Sequence, residues 1–479
     1  MGSDLVHVLL VSFPAQGHIN PLLRLAKRLA SKGLLVTFST TEAIAHMMQK
    51  ANNNITATNT LTPIGKGYLR FDFFSDGWDV DHPQRNDLDA YMVQLNSVGP
   101  TSLADLIERQ ASEGRRVSCV INNPFSPWVL DVATDMGIPC GVLWVQSCAV
   151  FSTYYHYLHN LAKFPTSSEP HISVQLPGMP LLKADDLPSF LLPGTPYGCL
   201  TELILGQFKN LSKASWVMVD SFDELENSIL ESISPLVPIT PIGPLFKSID
   251  TESDSTSVRG DMWKAVDCLE WLDSHSPASV IYISFGSVVV LGGDQMEEMA
   301  WGLRNSKRPF LWVVRPTENS ADTRLPKGFL EEIEGQGKVV QWCPQDRVLS
   351  HPSIACFVTH CGWNSTMESL SCGIPIIAFP QWGDQITNAK FISDVYGVGL
   401  RLGHPKGGPL VTRGEVERCV AEMTDGGPKA EEIKKNSMKW KEAAVKAVSI
   451  GGSSDKNIQA IVDDVRGRAE NQNGPKADV

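Results

Sequence analysis

Strand-length runs of consecutive apolar residues recur along this chain, each followed by a turn and a stretch with helical periodicity. The first is the clearest. Residues 8–13 (VLLVSF) lack polar alternation, as expected of a strand covered on both faces in a parallel sheet. Pro14, Ala15, Gln16, Gly17 and His18 read as a turn. Asn20 is placed to cap a helix with Pro21 at its first position, Leu22 to Ala30 carry the helical period, and Gly33 ends it. Residues 34–38 form the next run, which completes a βαβ unit. Further strands are predicted at 117–121, 141–145 and 215–219, with a helix over 131–136 closed by Gly137. Residues 247–261 are rich in Ser, Thr and Asp without an apolar period, and predict an exposed linker. The alternation then restarts with strands at 280–285, 310–314, 355–359 and 375–379 and a helix over 295–304. The chain is polar from Asn471 and is expected to be disordered there.

The expected class is therefore α/β with two doubly wound halves. An N-terminal domain takes 1–246, a linker 247–261 and a second domain 262–455, with a C-terminal helix and polar tail over 456–479. Ligands of such sheets sit outside the carboxyl ends of the strands, so a cleft between the halves is the expected site. Lys plus Arg number 41 against 53 Asp plus Glu, a net charge of −12. That balance argues against a nucleic-acid binder or a polybasic membrane-surface protein. Ten cysteines are scattered without a C-x-x-C pair or zinc-ligand spacing, which predicts reduced thiols, a cytoplasmic location and no metal site. No apolar run approaches the ~18 residues of a membrane span, and the N-terminus lacks the basic region of a signal peptide.

The densest cluster of chemistry is 359–368 (THCGWNSTME), which follows a buried run and opens a helix. Gly362 permits close backbone approach, and a helix N-terminus offers unpaired N–H groups with a positive dipole end, hence an anion site. His360, Asn364 and Ser365 add donors. A plain structural alternative exists, because Ser365 and Glu368 have capping-box spacing. No P-loop motif occurs, and Gly397, Gly399 and Gly403 have the wrong spacing for a dinucleotide fingerprint. Asp79/Asp81 and Asp87/Asp89 each match D-x-D but read as solvated loops. The run Tyr154, Tyr155, His156 and Tyr157 fits either a pocket wall or a core helix.

Trp342-Cys343-Pro344-Gln345, His360 to Ser365, Glu368 and Pro380 to Gln385 together resemble the signature box of plant family-1 UDP-glycosyltransferases. Residues 13–21, 221–226, 241–245 and 284–287 are similar to that family as well. The resemblance covers nearly the whole chain. It implies a GT-B fold, two Rossmann-like domains facing across a cleft. It implies that Trp342 stacks on uracil beside Cys343, that Gln345 bonds the ribose or base edge, and that Glu368 accepts from the ribose hydroxyls. His360, Gly362, Asn364, Ser365 and Ser287 would hold the diphosphate; the Trp363 backbone, Asp384 and Gln385 would hold the sugar. Gln385 at the end of the box points to UDP-glucose as donor. No metal is implied.

His18 matches the family's catalytic base, expected to deprotonate an acceptor as it displaces UDP with inversion. Many relatives orient that His with an Asp; here Asn123 stands in its place. An amide cannot stabilise an imidazolium, so the base is expected to be weak. A carboxylic acid is already ionised at pH 7 and needs no base. The expectation is therefore a glucose ester of a phenolic acid, as in the subgroup that glucosylates hydroxybenzoic and hydroxycinnamic acids. Glucosylation of phenolic hydroxyls, C-glycosylation, UDP-sugar epimerisation and non-catalytic UDP-sugar binding stay open. The expected partner is a small aromatic acceptor, with no nucleic acid, no membrane span and a monomeric chain.

Overall fold

A computed structural model describes residues 5–52, 55, 60–246, 258–315, 325–404, 408 and 410–473. The strands of the first half are β1 (His7–Val11), β2 (Leu35–Ser39), β3 (Thr62–Ile64), β4 (Gly67–Phe71), β5 (Val117–Asn122), β6 (Cys140–Trp144), β7 (Trp216–Val219) and β8 (Ile239–Pro241). They form one sheet in the order β3-β4-β2-β1-β5-β6-β7-β8, parallel except for β3 against β4. The second half holds β9 (Val280–Ser284), β10 (Phe310–Val313), β11 (Gly337–Val340), β12 (Ile354–Thr359), β13 (Ile376–Ala378) and β14 (Gly399–Arg401), in the order β11-β10-β9-β12-β13-β14. The reason for the unbroken apolar runs is visible in β1. Leu9 and Val11 enter one core, while Val8 and Leu10 enter another on the opposite face. Burial on both sides leaves no polar position to alternate with.

In each sheet the strand order reverses beside the first strand of the half: β1 lies between β2 and β5, and β9 between β10 and β12. Such switch points open a crevice at the carboxyl ends of the strands. His18 follows β1 and Asn123 follows β5; Ser287 follows β9 and His360 follows β12. Topology thus brings four of the singled-out residues to two facing crevices.

Three sequence expectations are corrected. The first helix starts at Gln16, not Pro21, and runs Gln16–Ser31 with Pro21 inside it. Proline cannot donate to the carbonyl four residues back, here that of Gly17. The Asn364 side chain donates to that oxygen instead, at 2.7 Å, from the other half of the molecule. Second, the end of the expected linker is not exposed: Val258, Gly260 and Asp261 are buried. The Gln16 amide holds them, donating to the Gly260 carbonyl (2.9 Å) and accepting from the Met262 N–H (2.8 Å). The rest of that segment, 247–257, lies outside the described residues. Third, residues 474–479 lie outside the described residues, and the first residues of the expected disordered tail are helical, because a helix covers Ser453–Asn473. Ile458, Ile461, Val462 and Val465 on it join the core under β1 and β2, and its Asp455 pairs with Lys32 (2.7 Å).

The two D-x-D matches have local structural work. Asp87 accepts from the Ala90 N–H and caps the helix Leu88–Ser112, and the Asp79 carbonyl accepts from Arg85. Tyr154 and His156 are buried on the helix Cys148–Leu158, so those members of the aromatic run belong to the core.

Candidate active site

One cavity opens between the two halves, and thirteen of the fourteen singled-out residues line it. Asn123 is the exception. It is fully buried one layer behind His18.

The second half contributes the floor. The helix Trp363–Cys372 begins at Gly362, whose extended backbone (φ −59°, ψ 141°) serves as N-cap without a side-chain bond. The capping box that was the structural alternative for Ser365 and Glu368 does not form. Ser365 lies inside the helix, and its hydroxyl accepts from Gln345 Nε2 at 3.0 Å. The first-turn amides thus point at the cavity without a side chain covering them. Cys361 precedes the cap in the left-handed region (φ 66°), an unfavourable place for a residue with a Cβ. Its carbonyl accepts from Asn388 Nδ2 at 3.0 Å, which helps keep the turn. The His360 ring stands between two glycines. A Cβ on Gly286 would come within 2.7 Å of the ring and one on Gly362 within 2.5 Å. Burial and the charge of Arg315 hold its pKa down at about 4, so the imidazole is neutral.

Glu368 is engaged on both oxygens. Arg24, on the first helix of the other half, pairs with Oε1 at 2.5 Å, and Gln345 Nε2 donates to Oε2 at 2.7 Å. Trp342 is half-buried, donates to Asp261 (3.2 Å) and has the Trp263 ring 4.9 Å away. Cys343 is buried, its thiol 3.4 Å from the Tyr282 hydroxyl. Trp363 lines the cavity, and its indole N–H donates to the Asp220 carbonyl at 2.8 Å. Asp384 accepts from Asn388 Nδ2 at 3.0 Å, and desolvation raises its pKa to about 6. Gln385 spends its Oε1 on the N–H groups of Gln381 (3.0 Å) and Trp382 (3.4 Å), which leaves its amide hydrogens for the cavity.

His18 forms the opposite wall. Its ring packs edge-on against Phe125 (4.3 Å) and Phe13 (5.1 Å). Burial drives its pKa down to about 3. Asn123 works against the burial by raising the ring's proton affinity, but His18 Nδ1 and Asn123 Nδ2 make no hydrogen bond; the Asn123 Oδ1 accepts from the Phe13 N–H at 3.0 Å.

Sequence reasoning missed Arg24, Gln16, Asn388 and Ser147. Gln16, Asn20, Arg24 and Arg28 recur every four residues, a polar stripe on an amphipathic helix, and that spacing was a readable signal. Ser147, whose hydroxyl donates to Asn388 Oδ1 at 3.1 Å, links the halves and left no such trace.

The two facing lobes, the bare helix N-terminus and the box of polar residues opposite His18 define a GT-B nucleotide-sugar transferase. The profile described as "UDP-glucoronosyl and UDP-glucosyl transferase" matches residues 255–413, and "Glycosyltransferase, N-terminal domain" matches 4–176. A gallate 1-beta-glucosyltransferase of Punica granatum is 55% identical, over 99% of this chain and 93% of its own. A cinnamate beta-D-glucosyltransferase of Fragaria ananassa is 52% identical, over 97% and 84%. The crystal structure of Os79 from O. sativa in complex with UDP superposes with a TM-score of 0.83 at 32% identity, covering 96% of this chain and all of that one. The chain belongs to the UDP-glycosyltransferase family and is an enzyme of that family.

Proposed function

We propose that this enzyme transfers glucose from UDP-glucose to the carboxylate of a small phenolic acid, forming a β-glucose ester. The observation that carries the reading is the environment of His18. Its pKa of about 3 and an amide, not a carboxylate, behind it make a poor general base. A carboxylic acid with a pKa of ~4–5 arrives as an anion and needs none. The gallate and cinnamate glucosyltransferases, similar over nearly the whole chain, are named for such acceptors.

In this reading Trp342 stacks on the uracil, with Cys343 shaping the loop behind it. Gln345 and Glu368 hold the ribose, whose hydroxyls compete with Arg24 for the carboxylate. His360, Asn364, Ser365, Ser287 and the amides after Gly362 receive the diphosphate. Asp384, Gln385 and the Trp363 backbone hold the hexose. The acceptor oxygen attacks the anomeric carbon from the His18 side while UDP departs toward the helix N-terminus with the bonding pair. One displacement inverts the α-linkage to β. The leaving group's charge is met by these groups, so a divalent metal is not required. Ten free thiols suit a cytosolic enzyme.

The test is an acceptor screen with UDP-glucose, with and without EDTA, followed by mild base. The expected product forms from phenolic acids, is unaffected by chelator and hydrolyses in base. A base-stable product from phenols alone would favour O-glucosylation.

A further inference from the structure

We propose that Tyr282 is a positioning residue for the ribose subsite: its buried hydroxyl sets the orientation of the Gln345 amide, which in turn braces the Glu368 carboxylate. The inference deepens the donor-site reading above and rests on it. It begins inside the second sheet. Tyr282 is the central residue of β9, 1% exposed, on a strand flanked by β10 and β12. Its ring stacks on Phe357 of β12, centroids 4.8 Å apart and planes at 21°, so strand pairing and ring packing fix where the hydroxyl lies. A phenylalanine ring would fill the same space. What tyrosine adds is a buried polar group, which costs stability unless it is bonded.

The hydroxyl has a defined task. Tyr282 O–H donates to Gln345 Oε1 at 3.0 Å, and Gln345 Nε2 donates to Glu368 Oε2 at 2.7 Å and to Ser365 Oγ at 3.0 Å. Oxygen and nitrogen of the amide are both engaged, so its direction is determined. Turned over, it would set its oxygen against a carboxylate oxygen and deprive the Tyr282 proton of that acceptor. The Cys343 sulfur lies 3.4 Å from the same hydroxyl. The tyrosine proton is committed to Gln345, so the thiol is the donor there. Hydrogen bonds then run in one direction, from Cys343 through Tyr282 and Gln345 to Glu368, and each strengthens the next. Burial and the neighbouring Cys343 push the Tyr282 pKa well above the usual tyrosine value, so the hydroxyl keeps its proton at neutral pH.

The end of this chain gives it a function. Glu368 Oε1 is paired with Arg24, which reaches across from the first half. Gln345 holds the other oxygen from within the second half, and that hold persists when ribose hydroxyls displace Arg24. A carboxylate fixed on Oε2 still offers lone pairs on both oxygens to the two O–H groups of a vicinal diol. Without the Tyr282 hydroxyl the amide is free to turn about its last torsion, and Glu368 loses its fixed aim.

The experiment compares UDP with 2′-deoxy-UDP as calorimetric titrants of the full chain. In Tyr282→Phe the affinity for UDP should fall about fivefold or more, while that for 2′-deoxy-UDP changes by less than about twofold. KM for UDP-glucose should rise in step, with kcat at saturating donor little altered. Equal weakening of both nucleotides, or none, overturns the proposal, since a merely structural role would not distinguish them. In a Gln345→Met background the same substitution should have no further effect on UDP; an undiminished loss there also overturns it. Should Tyr282→Phe fail to fold, the hydroxyl proton of the parent decides, observed with ring-labelled tyrosine. Its exchange with solvent should quicken about tenfold or more in Gln345→Met, and unchanged exchange counts against the contact. That measurement needs no nucleotide, so a chain that binds no UDP would sink the donor reading without touching this result.

Discussion

Asp384 shows how one side chain links fold and function. It is desolvated in the cleft, its one side-chain partner is an amide, and its pKa rises to about 6. A carboxylate accepts hydrogen bonds from sugar hydroxyls better than a protonated carboxyl does. The charged form prevails above pH 6 and is lost below it, so the sign is clear. KM for UDP-glucose should rise as pH falls from 7 to 5, and Asp384→Asn should abolish that inflection while raising KM roughly tenfold at pH 7. Initial-rate kinetics across that range check both. The residue type and its place beside Gln385 could be read from the sequence. The raised pKa could not, because it depends on how the second half buries the carboxyl.

Among the elements, the turn from β12 into the helix Trp363–Cys372 carries the most consequence. His360 fits because Gly286 and Gly362 leave room on either side. Gly362→Ala would drive a Cβ to 2.5 Å from the ring, forcing it out of the anion site. Titration with UDP should show affinity reduced at least tenfold, with thermal stability changed by about 1 kcal/mol or less, since Gly362 has an extended backbone open to any residue. The helix and its preceding strand were legible from the apolar run and the residues after it. The capping box was not a correct guide. Ser365 and Glu368 have the right spacing, but both side chains are engaged by Gln345, a residue on another element. Likewise Pro21 reads locally as a helix start. The helix begins five residues earlier because Asn364, far away in sequence, satisfies the carbonyl that Pro21 cannot.

For the whole molecule, acid is the revealing variable. Burial lowers the pKa of His7 to about 4, of His18 to about 3 and of His360 to about 4. Between pH 6.5 and 4 the unfolded chain binds these three protons and the folded chain does not, so stability falls as pH drops through that window. Asp384 acts oppositely between pH 6 and 3.8, where the folded chain holds the extra proton. A net of two protons remains. After discounting the three groups that border the open cleft, these residues should lower stability by about 2 kcal/mol per pH unit near pH 5. Urea unfolding at pH 7, 6 and 5 measures the slope, and His7→Gln should reduce it.

Apolar runs and their spacing determined two parallel sheets, because strands buried on both faces admit few polar residues. The order of motifs pointed to the proposed donor site, because all of its residues but Ser287 cluster in one stretch, 342–385, where local geometry does most of the positioning. What tertiary structure decided is every feature made by residues distant in sequence: Arg24 upon Glu368, Asn364 upon the Gly17 carbonyl, and above all the Phe13 N–H upon Asn123. A hydrogen bond between chain-distant groups leaves no periodicity behind, so only the folded arrangement reveals these pairs.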